Sequence, residues 1–347
     1  MNKTIIFLII FMILISAIIG LVKLFSEDDK ENLIVITNIS HLSVKGNQIV
    51  TDNNTPIILK GAAIEDPSIS SREVFFGSNV KDIKDFADWG FNLIRIPIHP
   101  EEFKKDKNYL IKYVDPIVKN SEGKGIYILL GWHAHGNPFT GEVELKEDGF
   151  PDTQVKTDLN LTKDFWMSAS KRYSGNPAVL YSIFNEPAFM NWSEWKNGAE
   201  EIIKVIRIND PNKIIFVSGT EWAADLRDVG KNPINLDNIV YEVHPYPSVY
   251  WYSKENYSST WDEHFGYLTD KYPVFIGEFG YQSNSRIENI NSSTENYGIS
   301  LIEYINKKEI SWSAWIWSDT WYPPMLKNWD YEPTEFGALV KKSLNQE

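Results

Sequence analysis

Short apolar runs alternate along the chain with segments in which apolar residues recur at helical spacing. The runs are nearly continuous in hydrophobic residues and rich in Ile, Val and aromatic side chains, which is typical of strands buried on both faces. In chain order they are IILKGAA, FNLIRIPI, GIYILLGW, VLYSIFNEP, KIIFVSG, NIVYEVHPY, YPVFIGEFG and ISWSAWIWS. Between the first two runs, Val80, Ile83 and Ala87 predict the apolar face of a helix.

The alternation predicts an α/β fold built on a parallel sheet, and eight strand signals match the strand number of a (β/α)8 TIM barrel. Such a barrel occupies about 250 residues as one domain, and we assign residues 40–347 to it. Turns at residues 45–47 and 52–54 predict a small N-terminal β-hairpin before the barrel. A doubly wound open sheet is the alternative, but no G-x-G-x-x-G follows the first strand, so a dinucleotide site has no support.

An unbroken apolar run at residues 5–22, with a lysine on each side, opens the chain. It is just long enough to span a bilayer and longer than a usual signal-peptide core. We expect a signal anchor over residues 1–25, a solvated linker over residues 26–39, and the rest of the chain outside the membrane at the cell surface. A cleaved signal peptide and a secreted chain are the alternative.

Composition narrows the classes of partner and of chemistry. A net charge of −13 disfavours nucleic acid and anionic membrane surfaces as partners, so membrane contact is expected only through the N-terminal segment. The acidic balance fits an uncharged substrate. Cysteine is absent, which excludes disulfides, thiolate metal sites and a cysteine nucleophile. A monomer is the default expectation.

Polar and aromatic side chains gather where the predicted strands end. Catalytic groups of TIM barrels lie at the C-terminal ends of the strands. The residues that the eight runs place at or near these ends are Arg95, His99, His133, His135, Asn185, Glu186, His244, Tyr246, Glu278 and Trp315. They include four of the six histidines of the chain, which a random scatter would not concentrate in this way.

Three of these residues carry the chemical argument. Arg95 lies inside an apolar run, and a buried guanidinium needs a carboxylate partner, which is either structural or catalytic. Alone, the Asn-Glu-Pro sequence around Glu186 could begin a helix, and the glycines around Glu278 could form a turn with positive φ. Together, two glutamates that end different strands provide what glycoside hydrolysis requires, an acid for the departing oxygen and a second carboxylate.

These motifs resemble glycoside hydrolase family five, the cellulase-like retaining glycosidases on (β/α)8 barrels. The resemblance covers nearly the whole chain after the linker and rests on NLIRIPI, GWH, FNEP, VHPY, IGEFG and ISWSAWIWSD, in the order of the family. It implies an endo-acting retaining hydrolase of a β-1,4-linked polysaccharide, most simply β-glucan or cellulose. β-Mannan and mixed-linkage glucan are the alternative substrates, and no metal or other cofactor is implied.

The resemblance also implies the catalytic pair. It makes Glu186 the general acid/base and Glu278 the nucleophile, with Asn185 bonded to the sugar 2-hydroxyl. The two carboxyl groups should then lie about 5–5.5 Å apart, with pKa values pushed apart by their surroundings. The chain departs from the family at Gly131, where an acidic residue or Asn is usual, and in the HPYP version of the sixth-strand motif.

Five further residues receive roles from the same resemblance. Arg95 and Tyr246 would hold Glu278, and the arginine would keep that carboxylate ionised. His133 and His244 would line the site and orient the acid or the substrate. Trp315 would stack under the sugar. No role for His135 follows from the family.

The tryptophan-rich loops suggest sugar platforms. Indole faces suit the flat C–H faces of β-linked hexoses, and Trp222, Trp251 and Trp321 are the candidates.

Three rival hypotheses concern the activity. The His133-x-His135 pair could bind a catalytic metal together with His244 or His99. A carbohydrate-binding barrel without activity would not need two glutamates at strand ends. A transglycosylase would use the same groups with a sugar acceptor in place of water.

Overall fold

The computed structural model describes residues 39–143, 158–247, 256–281 and 295–345. Its central feature is a closed barrel of parallel strands, in which each strand pairs with the next along the chain and the last pairs with the first. The barrel strands are β3 Lys60–Ile64, β4 Leu93–Ile98, β5 Tyr127–Trp132, β7 Val179–Ser182, β9 Ile215–Ser218, β10 Ile239–Val243, β11 Val274–Ile276 and β12 Ser311–Trp317. Each of the eight apolar runs contributes one of them, so the predicted barrel is confirmed.

Two shorter strand pairs accompany the barrel. The predicted hairpin is confirmed as β1 Ser43–Lys45 paired antiparallel with β2 Gln48–Val50. A second pair, β6 His135–Gly136 and β8 Glu186–Pro187, runs parallel beyond the ends of β5 and β7. The sequence did not predict this second pair.

Helices connect the barrel strands. The α-helices in the described ranges span Val80–Asp88, Pro100–Lys105, Asp115–Ser121, Leu159–Arg172, Trp192–Asn209, Thr220–Ala223, Tyr257–His264, Glu295–Lys308 and Glu335–Leu344, with a π-helical turn at Leu110–Val114 and a 3-10 helix at Gly266–Asp270. The predicted first helix is present, but its apolar face is rotated. Val80 is half exposed, whereas Ile83 and Phe86 are buried, because Phe86 packs against Trp317 on the outer side of the barrel.

The barrel interior changes from apolar to polar along the strands. Near the N-terminal end it holds one apolar cluster, which includes Leu42 and Ile49 of the hairpin region and the strand residues Leu93, Leu129, Leu180, Phe216, Val240 and Phe275. Two residues further along three strands lie Arg95, Ser182 and Glu242, all fully buried. Because alternate residues of a strand share a face, a polar layer lies directly beyond the apolar cluster and leads to the C-terminal end of the barrel.

The predicted signal anchor lies outside the described residues. Within the ranges that are described, none of the helices combines the length and the apolar character that a bilayer crossing requires.

Truncation of Phe216 tests the packing of the apolar cluster. The ring is fully buried and lies 4.9 Å from the ring of Phe275, centroid to centroid. We expect Phe216→Ala to lower the free energy of unfolding by about 3–5 kcal/mol, measured by urea denaturation. The control Ile208→Ala removes a side chain that is 69% exposed and should cost less than about 0.5 kcal/mol. Equal losses in the two variants would contradict this description of the core.

Candidate active site

Glu278 lies just beyond β11, and both of its carboxylate oxygens are held. Arg95 donates an Nη1–H to Oε1 at 2.7 Å, and the Tyr246 hydroxyl donates to Oε2 at 3.0 Å. Nδ1 of His133 lies 4.0 Å from Oε1. The side chain is almost completely buried, so a cation and a hydroxyl fix its orientation with little competition from water.

The backbone of Glu186 is fixed by the short strand pair beyond the barrel. His135 of β6 pairs with Glu186 of β8, and the Glu186 N–H donates to the carbonyl of Ala134 at 3.0 Å. Gly136 follows with φ +83°, and a Cβ there would come within 2.1 Å of the Glu142 carbonyl oxygen. Only glycine fits this path of the chain, which brings the segment after β5 against the segment after β7.

Each carboxylate oxygen of Glu186 faces a histidine. Nδ1 of His244 lies 3.0 Å from Oε1, and Nε2 of His135 lies 3.5 Å from Oε2. The Glu186 side chain is 19% exposed, more than that of any of its partners. The structure thereby places His135 beside the predicted acid/base, which the sequence did not indicate.

The two predicted catalytic carboxyl groups are close together. One oxygen of Glu186, one oxygen of Glu278 and a ring nitrogen of His244 all lie within 4.8 Å of one another. Retaining glycosidases hold their carboxyl groups about 5–5.5 Å apart, whereas inverting enzymes separate them by about 6.5–9.5 Å to admit a water molecule. The oxygen separation agrees with the retaining class.

Arg95 connects several of the site residues. Besides Glu278, it contacts the Asn185 Oδ1 atom at 2.5 Å and the Glu242 Oε1 atom at 3.6 Å. The Nδ2 group of Asn185 is buried and has no hydrogen bond within the described ranges. Arg95 therefore orients the amide so that its oxygen is occupied and its N–H₂ can donate to a ligand, as the predicted contact with a sugar 2-hydroxyl requires.

Glu242 is the site residue that sequence reasoning missed. It is fully buried, accepts the Ser182 hydroxyl at 2.6 Å, and lies 3.2 Å from Nε2 of His244. A signal was available, because Glu242 is a charged residue in an apolar run, as Arg95 is, and shares a strand face with His244 two residues later.

The pKa values of the two glutamates are shifted in the opposite sense to the one that their predicted roles require. As the acid, Glu186 would be expected to have the higher pKa, and Glu278, as the nucleophile, the lower one. Burial raises the pKa of Glu186, but the hydrogen bond from His244 and nearby positive charges outweigh it, so the net pKa is lowered. Burial raises the pKa of Glu278, and the charge of Glu186 adds to this, while His244 and Arg95 oppose it; the net pKa is raised. Burial lowers the pKa of His244, yet its carboxylate neighbours raise it to about 9. At neutral pH the proton of the Glu186–His244 pair therefore rests on the histidine.

His133 and Trp315 form one wall of the site. Their rings are nearly parallel, with 5.1 Å between centroids and 4° between planes. Burial, together with the neighbouring imidazoles and the Arg95 guanidinium, holds the pKa of His133 well below its usual value, so the ring is neutral. Trp315 is fixed by a bond from its indole N–H to the Tyr322 carbonyl at 3.0 Å.

Trp321 and His99 extend this wall. The Trp321 ring lies 6.4 Å from that of Trp315 and packs edge-on against His99 at 5.7 Å. Nδ1 of His99 lies 3.0 Å from Oδ2 of Asp66, a fully buried carboxylate. Trp321 is thus beside the site, as a sugar platform would be, and His99 is anchored from behind.

The other two candidate platforms are placed differently. Trp222 packs edge-on against Phe189, with 5.3 Å between centroids, and both side chains remain accessible. Trp251 lies outside the described residues.

The ligand-type side chains of the site fit a set of ion pairs better than they fit a metal-ion site. Within the described ranges, the one set of three ligand-type side chains at metal-binding spacing is Glu186, His244 and Glu278. Arg95 already neutralises Glu278, and His244 carries a proton that a metal would have to displace. The predicted rival, His133-x-His135, is not part of this set.

Comparison of the sequence with known proteins finds similar endoglucanases. Endoglucanase E-5 of Thermobifida fusca is 24% identical over 288 residues, which are 80% of this chain and 56% of that protein. Endoglucanase A of Butyrivibrio fibrisolvens is 26% identical over 289 residues, 80% of this chain and 59% of that protein. The chain thus spans a little over half the length of these curated relatives.

Solved structures give longer coverage. The β-glucanase SdGluc5_26A from Saccharophagus degradans is 31% identical, with a TM-score of 0.80, over 89% of this chain and 94% of that one. A second crystal structure of that β-glucanase contains cellotetraose. The family model described as Cellulase (glycosyl hydrolase family 5) matches residues 51–320. With more than half of its length covered by that model and its predicted glutamates at the ends of two barrel strands, β7 and β11, the chain belongs to the cellulase family, glycosyl hydrolase family 5.

Proposed function

We propose that the chain is a retaining, endo-acting β-glycosidase that hydrolyses β-1,4-linked glucan. The observation that carries the proposal is the close pair of Glu186 and Glu278, in which one carboxyl group pairs with His244 and the other with Arg95. A carbohydrate-binding barrel has no need of this pair. The names of the endoglucanase and β-glucanase relatives support glucan as the polymer.

The first step forms a bond between enzyme and sugar. Arg95 and Tyr246 hold the Glu278 carboxylate, whose free lone pair attacks the anomeric carbon. The bond to the glycosidic oxygen breaks, and that oxygen takes a proton from Glu186. The proton reaches Glu186 from His244, 3.0 Å away, as negative charge builds on the departing oxygen.

The second step reverses the first with water as the nucleophile. Once Glu278 is an ester, its negative charge is gone, and the lowered pKa of Glu186 suits that carboxylate to act as a base. Water gives a proton to Glu186 and attacks the anomeric carbon, which releases Glu278. Two inversions retain the anomeric configuration. A sugar hydroxyl in place of water would give transglycosylation by the same route.

The rest of the site supports binding of a sugar in the subsite where cleavage occurs. The N–H₂ of Asn185 can donate to the 2-hydroxyl, and Trp315 and Trp321 offer apolar faces. β-Mannan and mixed-linkage glucan are the alternative polymers, because the hydroxyl geometry at C2 and the linkage between sugars are read by loop residues.

Substitution of the two glutamates tests the proposed reaction. We expect Glu278→Gln to lower kcat on carboxymethyl cellulose by about 10⁴-fold or more and Glu186→Gln by about 10²–10⁴-fold. Glu263→Gln is the control, because that carboxylate is 67% exposed on the helix Tyr257–His264 and should leave kcat unchanged. The assay should include mannan and mixed-linkage glucan, and proton NMR of the first-formed anomer should show the β form. Equal sugar release by wild type and Glu278→Gln on every polymer would refute the assignment.

The pKa of His244 sets the expected alkaline limit of activity. Deprotonation of His244 near pH 9 removes the proton that the Glu186–His244 pair supplies to the leaving group. We therefore expect kcat/KM to fall about tenfold per pH unit above that value. The raised pKa of Glu278 should place the acid limb above the usual range of a glutamate. His264→Gln, in a buried histidine bonded to the Thr260 carbonyl, should not move either limb. An alkaline limb below pH 7 in the wild type would contradict the proposed protonation order.

We also propose that the barrel is exported and held at the cell surface by the apolar run at residues 5–22. The uncharged polymer that the site suits would lie outside the cell. The full-length chain should then stay in the membrane pellet after alkaline carbonate extraction and be digested by protease added to intact cells. A soluble chain that begins after residue 25 in the culture medium would show instead that the segment is cleaved.

A further inference from the structure

We propose that Glu242 is a positioning residue for the reaction, which holds His244 and Arg95 so that each presents its remaining donor to a catalytic glutamate. The inference deepens the proposed function and rests on it. Its basis is a set of contacts beneath the catalytic pair, together with the space that the fold reserves for this carboxylate.

Glu242 lies in the polar layer of the barrel and contacts donors from three strands. Its Oε1 atom is 3.2 Å from Nε2 of His244 and 3.6 Å from Nη2 of Arg95, and its Oε2 atom accepts the Ser182 hydroxyl. The other nitrogen of His244 faces Glu186, and the other terminal nitrogen of Arg95 donates to Glu278. One carboxylate is therefore bound to the partner of each catalytic glutamate.

The backbone just after β11 leaves room for this carboxylate. A Cβ at Gly277 would lie 1.9 Å from Oε1 of Glu242 and 2.6 Å from its Cδ. Neither Gly277 nor Gly280 has a positive φ, so the interpretation of the GEFG motif as a turn is wrong. The glycine before Glu278 is required because Glu242 occupies the place of its side chain.

The charge of Glu242, and not only its shape, is expected to matter. His244 is faced by Glu186 after β7, by Glu278 after β11, and by Glu242 on its own strand, with Arg95 on β4 sharing the same Glu242 oxygen. His133 after β5 adds an imidazole that is neutral. Two buried cations thus lie among three carboxylates. Loss of the negative charge of Glu242 is therefore expected to lower the pKa of His244.

The test begins with Glu242→Gln, which keeps the size of the side chain and its acceptor oxygen but removes the charge. Ser182→Ala is a second, milder variant that frees the Glu242 carboxylate without changing its charge. Asp210→Asn is the matched control, because Asp210 is a buried carboxylate that contacts Lys213 and Tyr181 and none of the site residues. Thermal melting establishes that each variant of the full chain is folded.

Histidine NMR provides a readout that does not depend on activity. In protein labelled with ¹⁵N-histidine, the six imidazoles are followed against pH, and His244 is assigned by loss of its signal in His244→Gln. We expect Glu242→Gln to lower the midpoint of His244 titration by about one pH unit or more. Ser182→Ala should produce a smaller shift in the same direction, and Asp210→Asn should produce none.

Kinetics show which step the carboxylate serves. On cellotetraose, whose leaving group needs a proton, Glu242→Gln should lower kcat/KM at least about tenfold. On 2,4-dinitrophenyl β-cellobioside, whose leaving group needs none, the loss should be several times smaller, and KM should change little for either substrate.

Two results would overturn the proposal. One is a His244 midpoint that Glu242→Gln leaves in place. The other is a loss of melting temperature like that of Asp210→Asn with no change in kcat/KM, which would make Glu242 a structural residue only. If the wild type cleaves no glucan, the proposed function fails, and the His244 titration alone decides whether Glu242 controls the histidine.

Discussion

The burial of one guanidinium organises this molecule. Arg95 lies where the barrel interior would otherwise continue as an apolar core, and an unpaired cation there would be very costly. Its two terminal nitrogens are satisfied by Glu278, Asn185 and Glu242. The apolar cluster closed by the hairpin keeps water from the N-terminal side, so these contacts face little competition. The same charge that destabilises the interior thus draws two carboxylates and an amide to one point.

The sequence was sufficient to predict the barrel and the gathering of the main candidate site residues at one end of it. Buried parallel strands read as continuous apolar runs, and polar residues at their ends converge because the strands are parallel. The features that were predicted wrongly or missed depend on contacts between elements that are far apart in the chain. Which side of the first helix is buried was decided by Trp317, more than 200 positions away. Glu242 was missed although it is a charged residue in an apolar run, because two of its partners, Arg95 and Ser182, lie on other strands. The space that Gly277 leaves for its carboxylate cannot be read from residue spacing either.

The acid–base assignment shows a similar limit. A sequence argument gives each glutamate a role and then expects the acid to have the higher pKa. In the structure the order is reversed, because a cationic imidazole lies 3.0 Å from Glu186 and because the Glu278 side chain is less exposed than that of Glu186. The proton that the proposed cleavage needs is therefore shared by the Glu186–His244 pair and not held by one side chain. The proposed roles are unaffected, since both glutamates would exchange charge during that reaction.

The pairing of β6 with β8 has a consequence for how this barrel can diverge. Only two residues separate β5 from β6, and three separate β7 from β8. An insertion or deletion of one residue in either connection would break the pairing of His135 with Glu186 and turn the glutamate away from its histidines. After these two strands, length changes can accumulate only beyond Gly136 and Pro187. Loop variation at these two strand ends is thereby confined to segments that follow the paired residues along the chain.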